Sequence, residues 1–277
     1  MTLNAGSIYR GWVDAINARN WDDAVQSLSA TITVDGAKLN RSAFLDALKS
    51  YLTIVPDDII DVELLMVDQS NAKVVARNIH HGTLAQPYHG AQVTGNPIEW
   101  SEHSFCYFND QCKIEKLVSL LDTQALAAQT REVPRTPPSD RVPPENSSVD
   151  MEAVYRAYID SINTRTMATY FPGYCQSTIV HNCSKYTMDQ YREMIESSQV
   201  VIEDLCFGLE DVIVDESAQM VASHIRFTGK PVKEFCGIQP TGKEVRFSEL
   251  CIYQLQQGKI CFVWSLLDLE AYERSMA

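Results

Sequence analysis

The sequence repeats itself once at a nearly constant spacing, and this feature limits the possible folds more than any other. The residues around Tyr9 return around Tyr155, and the sequence Ser-Leu-Leu-Asp that ends at Asp122 returns ending at Asp268, each 146 residues further on. The pair Ser101-Glu102 recurs 147 residues further on, which indicates one inserted or deleted residue. A long period that is repeated once is typical of two tandem domains and not of a solenoid.

A proline-rich stretch separates the two copies. Five prolines lie between Glu132 and Asp150, among Ser, Asp, Arg and Asn residues. Because proline removes an amide donor and biases the preceding residue toward extended backbone, this composition predicts a semi-rigid linker. Recognition of this stretch by a partner protein is the alternative interpretation. We therefore predict copy one at residues 5–128, a linker at 129–150 and copy two at 151–275.

The residue patterns within each copy predict helices followed by strands. Ile8, Trp12 and Ile16 fall on one helix face in copy one, and Thr187 begins a capping-box pattern ahead of the second helix of copy two. The remainder of each copy alternates polar and β-branched residues, as strands do. The predicted strands are 61–67, 72–83, 98–108 and 114–122 in copy one, and 209–215, 219–229, 244–255 and 260–269 in copy two. This order predicts an α+β class, with N-terminal helices on one face of a curved antiparallel sheet and a ligand cavity at its open end.

The composition excludes several classes of function. The formal net charge is −13 and no basic face is evident, so nucleic acid is not an expected partner. The first residues lack the pattern of a signal peptide and no run of eighteen apolar residues occurs, so we expect a cytoplasmic protein without membrane contact. The eight cysteines form no C-x-x-C pair, which favours buried free thiols, with a zinc site or disulfides as the alternative.

Short motifs near the end of each copy carry a resemblance to a known family. In copy two they are 241–249, 258–260, 264–268 and 180–182, and in copy one they are 101–103, 113–114 and 119–122. Together they resemble the SnoaL-like polyketide cyclases, within the nuclear transport factor two-like superfamily. The resemblance implies two tandem cone-shaped α+β domains. It also implies cofactor-free chemistry on hydrophobic natural products, since family members include cyclases, isomerases and epoxide hydrolases.

The resemblance implies different sites in the two copies. In the family's cyclases an aspartate at the end of a W-x-x-x-D strand acts as the base, and it matches Asp268. Copy two keeps Trp264 as well, but has Leu250 where the family often has histidine. Copy one keeps His103 and Asp122 but lacks the tryptophan. Identical activity in both copies is therefore not expected.

We predict the working site in copy two. Its residues are Asp268 as general base, His181, Glu249 and His224 to orient groups or relay protons, and Trp264 and Tyr158 to shape the pocket. Trp264 and Asp268 share the phase of one strand, and an inward carboxylate would be desolvated, which raises its pKa toward that of a useful base. Two alternatives stay open: Asp268 caps the helix that follows, and Glu249 makes a structural hydrogen bond.

The histidines of copy one resemble a metal-binding set at first sight. However, the adjacent pair His80-His81 points to opposite faces of a strand, and no carboxylate falls at a recognisable ligand spacing. We therefore expect neither a metal nor a cofactor. The candidates for a second, polar pocket in copy one are Arg77, His80, His103 and Asp122.

These observations predict a cofactor-independent isomerase or cyclase that acts by acid–base chemistry on a hydrophobic polyketide or terpenoid intermediate. An epoxide hydrolase of the same fold, and a non-catalytic pair of ligand-binding or assembly domains, are the alternatives. Because folds of the superfamily commonly dimerise through their sheets, the resemblance also implies an intramolecular pseudo-dimer, with a further homodimer as an option. The weaker match of copy one favours a scaffold role for that copy.

Overall fold

The computed structural model of the protein describes residues 4–68, 70, 72–136 and 149–277. The chain divides into two compact units, Met1–Arg135 and Thr136–Ala277. Most of the predicted linker, residues 137–148, lies outside the described residues. No helix in the described part of the chain is both long and apolar enough to cross a membrane.

The two units repeat one order of helices and strands. The first unit consists of α1 (Ala5–Asn17), α2 (Trp21–Gln26), β1 (Leu28–Val34), β2 (Ala37–Asn40), α3 (Arg41–Ile54), β3 (Ile59–Asp68), β4 (Lys73–Thr83), β5 (Pro97–Phe108), β6 (Ile114–Leu121) and α4 (Thr123–Ala127). The second unit consists of α5 (Met151–Asn163), α6 (Met167–Tyr174), β7 (Cys175–His181), β8 (Ser184–Thr187), α7 (Met188–Val201), β9 (Ile202–Asp215), β10 (Met220–Pro231), β11 (Val245–Gln256), β12 (Lys259–Leu267) and α8 (Leu269–Met276). The predicted capping box is present, with Thr187 and Gln190 at the start of α7.

Each unit contains a six-stranded sheet, with strand orders β2-β1-β6-β5-β4-β3 and β8-β7-β12-β11-β10-β9. The α+β class with N-terminal helices is confirmed. The sheets are mixed, however, because β1 pairs in parallel with β6 and β7 pairs in parallel with β12. In each unit, a short hairpin between the second and third helices contributes two strands to the sheet. The first strand of that hairpin lies beside the last long strand of the unit. The antiparallel prediction therefore holds for the four long strands of each unit and for its short hairpin, and fails only where the hairpin joins the last long strand.

The change of spacing from 147 to 146 residues occurs at the hairpin between the last two long strands. The paired residues Phe108 and Ile114 enclose a five-residue loop, whereas Leu255 and Ile260 enclose four residues. The tight turn predicted at Gln257-Gly258 is present, and both residues have the positive φ that a type I′ turn requires. The first three meander strands of the two units therefore correspond at 147 residues, and the last strands correspond at 146.

The helices of each unit pack against one face of its sheet, which we call the inner face. In the first unit, Val74 and Ala76 of β4 and Cys106 of β5 are buried in one cluster with Tyr9 and Trp12 of α1. Since strand side chains alternate between faces, Asn78, His80, Trp100, Glu102 and Ser104 also point inward.

The second unit is built in the same way from different positions. In its core cluster, Val221 and Ile225 of β10 and Cys251 and Tyr253 of β11 pack with Tyr155 of α5. By the same alternation, the inner-face positions of β11 include Phe247 and Glu249.

The eight cysteines, all of which lie among the described residues, are free. Cys106, Cys175 and Cys251 are buried, as expected for thiols inside apolar strands. Cys112, Cys206 and Cys236 are exposed, so the expectation of burial was wrong for them. Cys112 and Cys236 lie in turns, and Cys206 lies on β9, an edge strand of its sheet. At such positions the sequence pattern carries little information about burial.

Candidate functional site

A histidine joins two carboxylates on the inner face of the first unit. The Nδ1 atom of His80 lies 3.1 Å from Oδ2 of Asp58, and its Nε2 atom lies 3.2 Å from Oε2 of Glu102. We call Asp58, His80 and Glu102 the carboxylate–histidine array. The indole ring of Trp100 stacks on the imidazole, with 5.2 Å between ring centroids.

The fold brings the array together from three parts of the chain. Antiparallel pairing of β4 with β5 places Asn78 opposite Glu102 and His80 opposite Trp100. Asp58 precedes β3, where its backbone oxygen accepts a hydrogen bond of 2.8 Å from the guanidinium of Arg19. The array therefore depends on strand register and on the loop that leads out of α3.

Further hydrogen bonds hold each carboxylate in place. The hydroxyl group of Tyr51 on α3 donates to Oδ2 of Asp58 at 2.9 Å. At the other end, the side-chain nitrogen of Asn78 lies 3.0 Å from Oε2 of Glu102 and 2.8 Å from the hydroxyl oxygen of Tyr9. These contacts fix both carboxylates against rotation, which is the arrangement that an acid–base site requires.

The charges of the array stabilise one another. Burial alone would lower the pKa of His80, but the carboxylates of Asp58 and Glu102 outweigh it and raise that pKa to about 10. Burial would raise the pKa of Glu102, yet the bonds and charge of His80, with help from Asn78 and Ser104, hold it below its ordinary value. At neutral pH the array therefore contains an imidazolium and an ionised Glu102.

Several polar atoms of the first unit are buried without a hydrogen-bond partner among the described residues. They are Oδ1 of Asn78 and the indole nitrogens of Trp12 and Trp100. A buried unsatisfied polar group costs about 1–3 kcal/mol, so such atoms are rare unless water or a ligand satisfies them. Asn78 bonds to Glu102 and Trp100 stacks on His80, so a molecule that reached the free atoms of these two residues at the array would be stabilised.

One carboxylate of the array is partly exposed to solvent. None of the residues of α3, which faces the sheet, is fully buried. The side chain of Glu102 is 17% exposed, whereas those of Asp58 and His80 are 3% and 7% exposed. Glu102 is therefore the member of the array that an incoming molecule can touch.

The second unit keeps only the glutamate of this arrangement. Glu249 lies opposite Leu267, the last residue of β12, just as Glu102 lies opposite Leu121, the last residue of β6. By the register of the sheets, the counterparts of Asp58, His80 and Trp100 are Leu205, Phe227 and Phe247. The position of the ionic array is therefore apolar in the second unit.

Glu249 has neutral partners. It accepts a hydrogen bond from the hydroxyl group of Ser265, and no cation contacts it among the described residues. Burial raises the pKa of Glu249 because no imidazolium compensates for the lost hydration. Two glutamates at one position of the fold thus have pKa values shifted in opposite directions.

The second unit has its own inner-face histidine at a different place. His181 ends β7 beside β12, and its ring lies 5.9 Å from the ring of Tyr191. Burial lowers the pKa of His181 to about 4, so the ring is neutral at pH 7. The hydroxyl groups of Tyr191 and Tyr158 lie 2.8 Å apart nearby. Glu249, His181 and Tyr158, three residues predicted for copy two, therefore share the interior.

The other residues predicted for copy two lie elsewhere. Asp268 caps α8, since its Oδ1 accepts a hydrogen bond of 2.8 Å from the backbone nitrogen of Ala271. Trp264 and His224 stand on the face of the sheet opposite Glu249, because strand side chains alternate. Trp264 therefore does not face the interior that contains Glu249 and His181. The shared strand phase of Trp264 and Asp268 directs neither side chain inward.

In copy one, only His80 among the predicted residues joins the array. Asp122 caps α4 through a hydrogen bond of 2.9 Å from the backbone nitrogen of Ala125. Arg77 and His103 stand opposite each other on the other face of the sheet, where Arg77 pairs with Glu63. The polar network predicted from these four residues is therefore divided among two faces and a helix end.

The predictions missed Asp58, Tyr51, Asn78 and Glu102 as site residues. The sequence contains a signal for Glu102, because the recurrence of Ser101-Glu102 at Ser248-Glu249 marks an ionisable residue that both copies keep at one position. The sequence contains no such signal for Asp58, since this residue lies between a helix and a strand.

Among the described residues, no group of three or more His, Cys, Asp or Glu side chains is arranged to hold a metal. The two ring nitrogens of His80 point to separate carboxylates instead of converging with them.

Comparison with known proteins identifies the relatives of both units. The family model described as SnoaL-like polyketide cyclase matches residues 6–130 and 152–276. A crystal structure of a SnoaL-like polyketide cyclase from Agrobacterium tumefaciens is 30% identical, covers 46% of this chain and 98% of its own, and has a TM-score of 0.43. TsrD from Streptomyces laurentii is 17% identical over 48% of this chain and 98% of its own, with a TM-score of 0.43. Among curated proteins, none matches the sequence.

Proposed function

The chain belongs to the SnoaL-like polyketide cyclase family, and from this premise we propose that it is a cofactor-independent isomerase or cyclase. It acts by acid–base chemistry on a hydrophobic intermediate of polyketide or terpenoid type. We assign the chemistry to the first unit. The observation that supports this assignment most is the carboxylate–histidine array, in which the accessible Glu102 lies beside unsatisfied buried hydrogen-bonding atoms.

Glu102 is the general base of this proposal. Its carboxylate is ionised at neutral pH and can remove a proton from a carbon of the substrate that lies next to a carbonyl group. The proton returns from Glu102 to another atom of the same molecule, so an isomerisation or ring closure balances without an added reactant. A base of low pKa suits a C–H group that neighbouring carbonyl groups already activate.

His80 and Trp100 stabilise the charges that form while the proton is transferred. While Glu102 holds the proton, the imidazolium of His80 stays paired with the carboxylate of Asp58, and the negative charge resides on the substrate. The free indole nitrogen of Trp100, held by stacking on His80, is a donor for the enolate oxygen that develops. Trp12 and Phe44 supply apolar surface on which an aromatic intermediate can lie.

A substitution that keeps the shape of Glu102 tests this proposal. Glu102→Gln retains a hydrogen-bonding side chain but removes the base, so we expect the rate to fall by about 10²–10⁴-fold. The measurement is NMR-detected exchange into D2O of the C–H group beside the carbonyl of 2-tetralone, a bicyclic aromatic ketone. Glu249→Gln is the matched control and retains the wild-type rate. Equal rates for wild type and Glu102→Gln would contradict the assignment.

A further inference from the structure

A second histidine joins two carboxylates on the other face of the first sheet. His81 follows His80 in β4 and therefore points away from the inner face, to what we call the outer face. Its Nδ1 atom lies 2.8 Å from Oε1 of Glu99 on β5, and its Nε2 atom lies 2.9 Å from Oδ2 of Asp61 on β3. The chemistry proposed above uses none of these three side chains.

The segment that follows α4, residues 130–135, is bound to this cluster, and we call it the strap. The backbone nitrogen of Val133 donates to Oε2 of Glu99 at 2.9 Å, and Val133 is buried. The Nη2 atom of Arg135 lies 3.1 Å from Nε2 of His81 and 3.4 Å from Oε1 of Glu99. The first residues of the predicted linker are therefore held on the first unit at two points, Val133 and Arg135.

The Nε2 atom of His81 faces two partners that require opposite protonation states. The guanidinium of Arg135 can only donate, so it requires an Nε2 atom that carries no proton. The ionised carboxylate of Asp61 can only accept, so it requires a proton on the same atom. Glu99 accepts the proton of Nδ1 in either case, which leaves Nε2 as the atom that gains or loses a proton. The neutral ring therefore suits Arg135, and the imidazolium suits Asp61.

We propose that the strap is a pH-sensitive clasp that His81 controls. The neutral ring accepts a hydrogen bond from Arg135 and holds the end of the strap on the outer face. The imidazolium donates to Asp61 and repels the guanidinium, and it also competes for the carboxylate that lies 3.9 Å from Nη1 of Arg135. Acidification therefore releases Arg135, while Val133 keeps its bond to Glu99.

The second unit lacks this cluster. By the register of the sheets, the counterparts of its three side chains are Gly208, Thr228 and Arg246. The same sheet positions are therefore occupied without a histidine or a carboxylate, so the fold of the sheet does not require the cluster. Its presence in the unit that the linker follows supports a role in holding the strap.

The mobility of the strap in the full chain tests the clasp by NMR relaxation. Between about pH 8 and about pH 5.5, the range in which histidine titrates, we expect the amide order parameter of Arg135 to fall from about 0.85, typical of rigid backbone, to below about 0.6. The amide of Val133 is the internal control and stays rigid. A constant order parameter for Arg135 would overturn the proposal, as would a Val133 amide that loosens together with it.

Variants identify the group that titrates. His81→Gln cannot gain a charge, so the order parameter of Arg135 becomes independent of pH. His224→Gln, on the outer face of the second unit, is the matched control and keeps the wild-type response. Asp61→Asn weakens the protonated arrangement and should move the loosening to lower pH by about half a unit. A wild-type response in His81→Gln, or an unchanged or upward-shifted transition in Asp61→Asn, would refute the role of His81.

Discussion

Glu102 of the first unit and Glu249 of the second occupy the same position of a duplicated fold, and their neighbours give them opposite properties. Glu102 lies 3.2 Å from a histidine that Asp58 also holds, whereas Glu249 bonds to a serine and has Leu205 and Phe227 in place of Asp58 and His80. The pKa of Glu102 is lowered and that of Glu249 is raised. The comparison teaches that the fold fixes where the carboxylate stands, while the residues at two other positions decide the direction in which its pKa shifts.

The inner-face histidines of the two units lie on opposite sides of the strand that carries the glutamate. In the first unit His80 approaches the glutamate from β4, and in the second unit His181 stands on β7, on the other side of β11. His80 is ion-paired and protonated, whereas His181 is unpaired and neutral. The duplication therefore supports one interior with an ion-paired histidine and one interior with a neutral histidine.

The largest expected effect comes from replacing His80 with the residue of the second unit. His80→Phe leaves Asp58 and Glu102 buried without their cation, and breaking such a buried pair costs about 3 kcal/mol or more of unfolding free energy. Urea unfolding of the full chain measures it. The matched change Phe227→Leu in the second unit removes ring contacts without stranding a charge, and we expect a smaller loss, about 1 kcal/mol. Equal losses would show that the ion pairs contribute nothing beyond packing.

The pH dependence of stability follows from the same histidine. Because the folded-state pKa of His80 is raised from 6.5 to about 10, its stabilisation is fully present below about pH 6.5 and declines as pH rises toward 10. Unfolding free energies of the wild type and His80→Phe should therefore differ most near pH 6 and converge near pH 10. A constant difference across this range would mean that the imidazole is not held protonated.

The smallest expected effects concern the two aspartates predicted from the sequence as site residues. Asp122→Ala and Asp268→Ala each remove a helix N-cap and should cost about 1 kcal/mol of stability. Asp122→Asn and Asp268→Asn retain a good cap and should preserve both stability and the 2-tetralone exchange rate. A large loss of exchange in Asp268→Asn with unchanged stability would restore Asp268 as the base and move the working site to the second unit.

Much of the fold could be predicted from the sequence, because repeat spacing and strand periodicity are local signals. The capping box at Thr187 and the turn at Gln257-Gly258 are examples of such signals. The direction of Trp264 could not be predicted, since both faces of β12 are apolar and alternation alone does not say which face meets the helices.

The site was harder to predict than the fold. Asp58 stands in a connection between α3 and β3, where no periodic pattern applies, and it meets His80 only through the register of β3 with β4. The recurrence of Glu102 at Glu249 was visible, but its meaning depends on neighbours from other strands. Long-range pairing, and not residue type, therefore determines which of the predicted histidines joins a carboxylate.

The charge states of the two glutamates can be measured directly. With side-chain ¹³C-labelled glutamate, the carboxyl resonances of Glu102 and Glu249 can be followed by NMR across a pH titration and assigned with Glu102→Gln and Glu249→Gln. We predict that Glu102 titrates below the ordinary glutamate range and Glu249 above it. If both titrate together, or if Glu102 titrates above Glu249, the two interiors do not differ in charge and the proposed division between them is wrong.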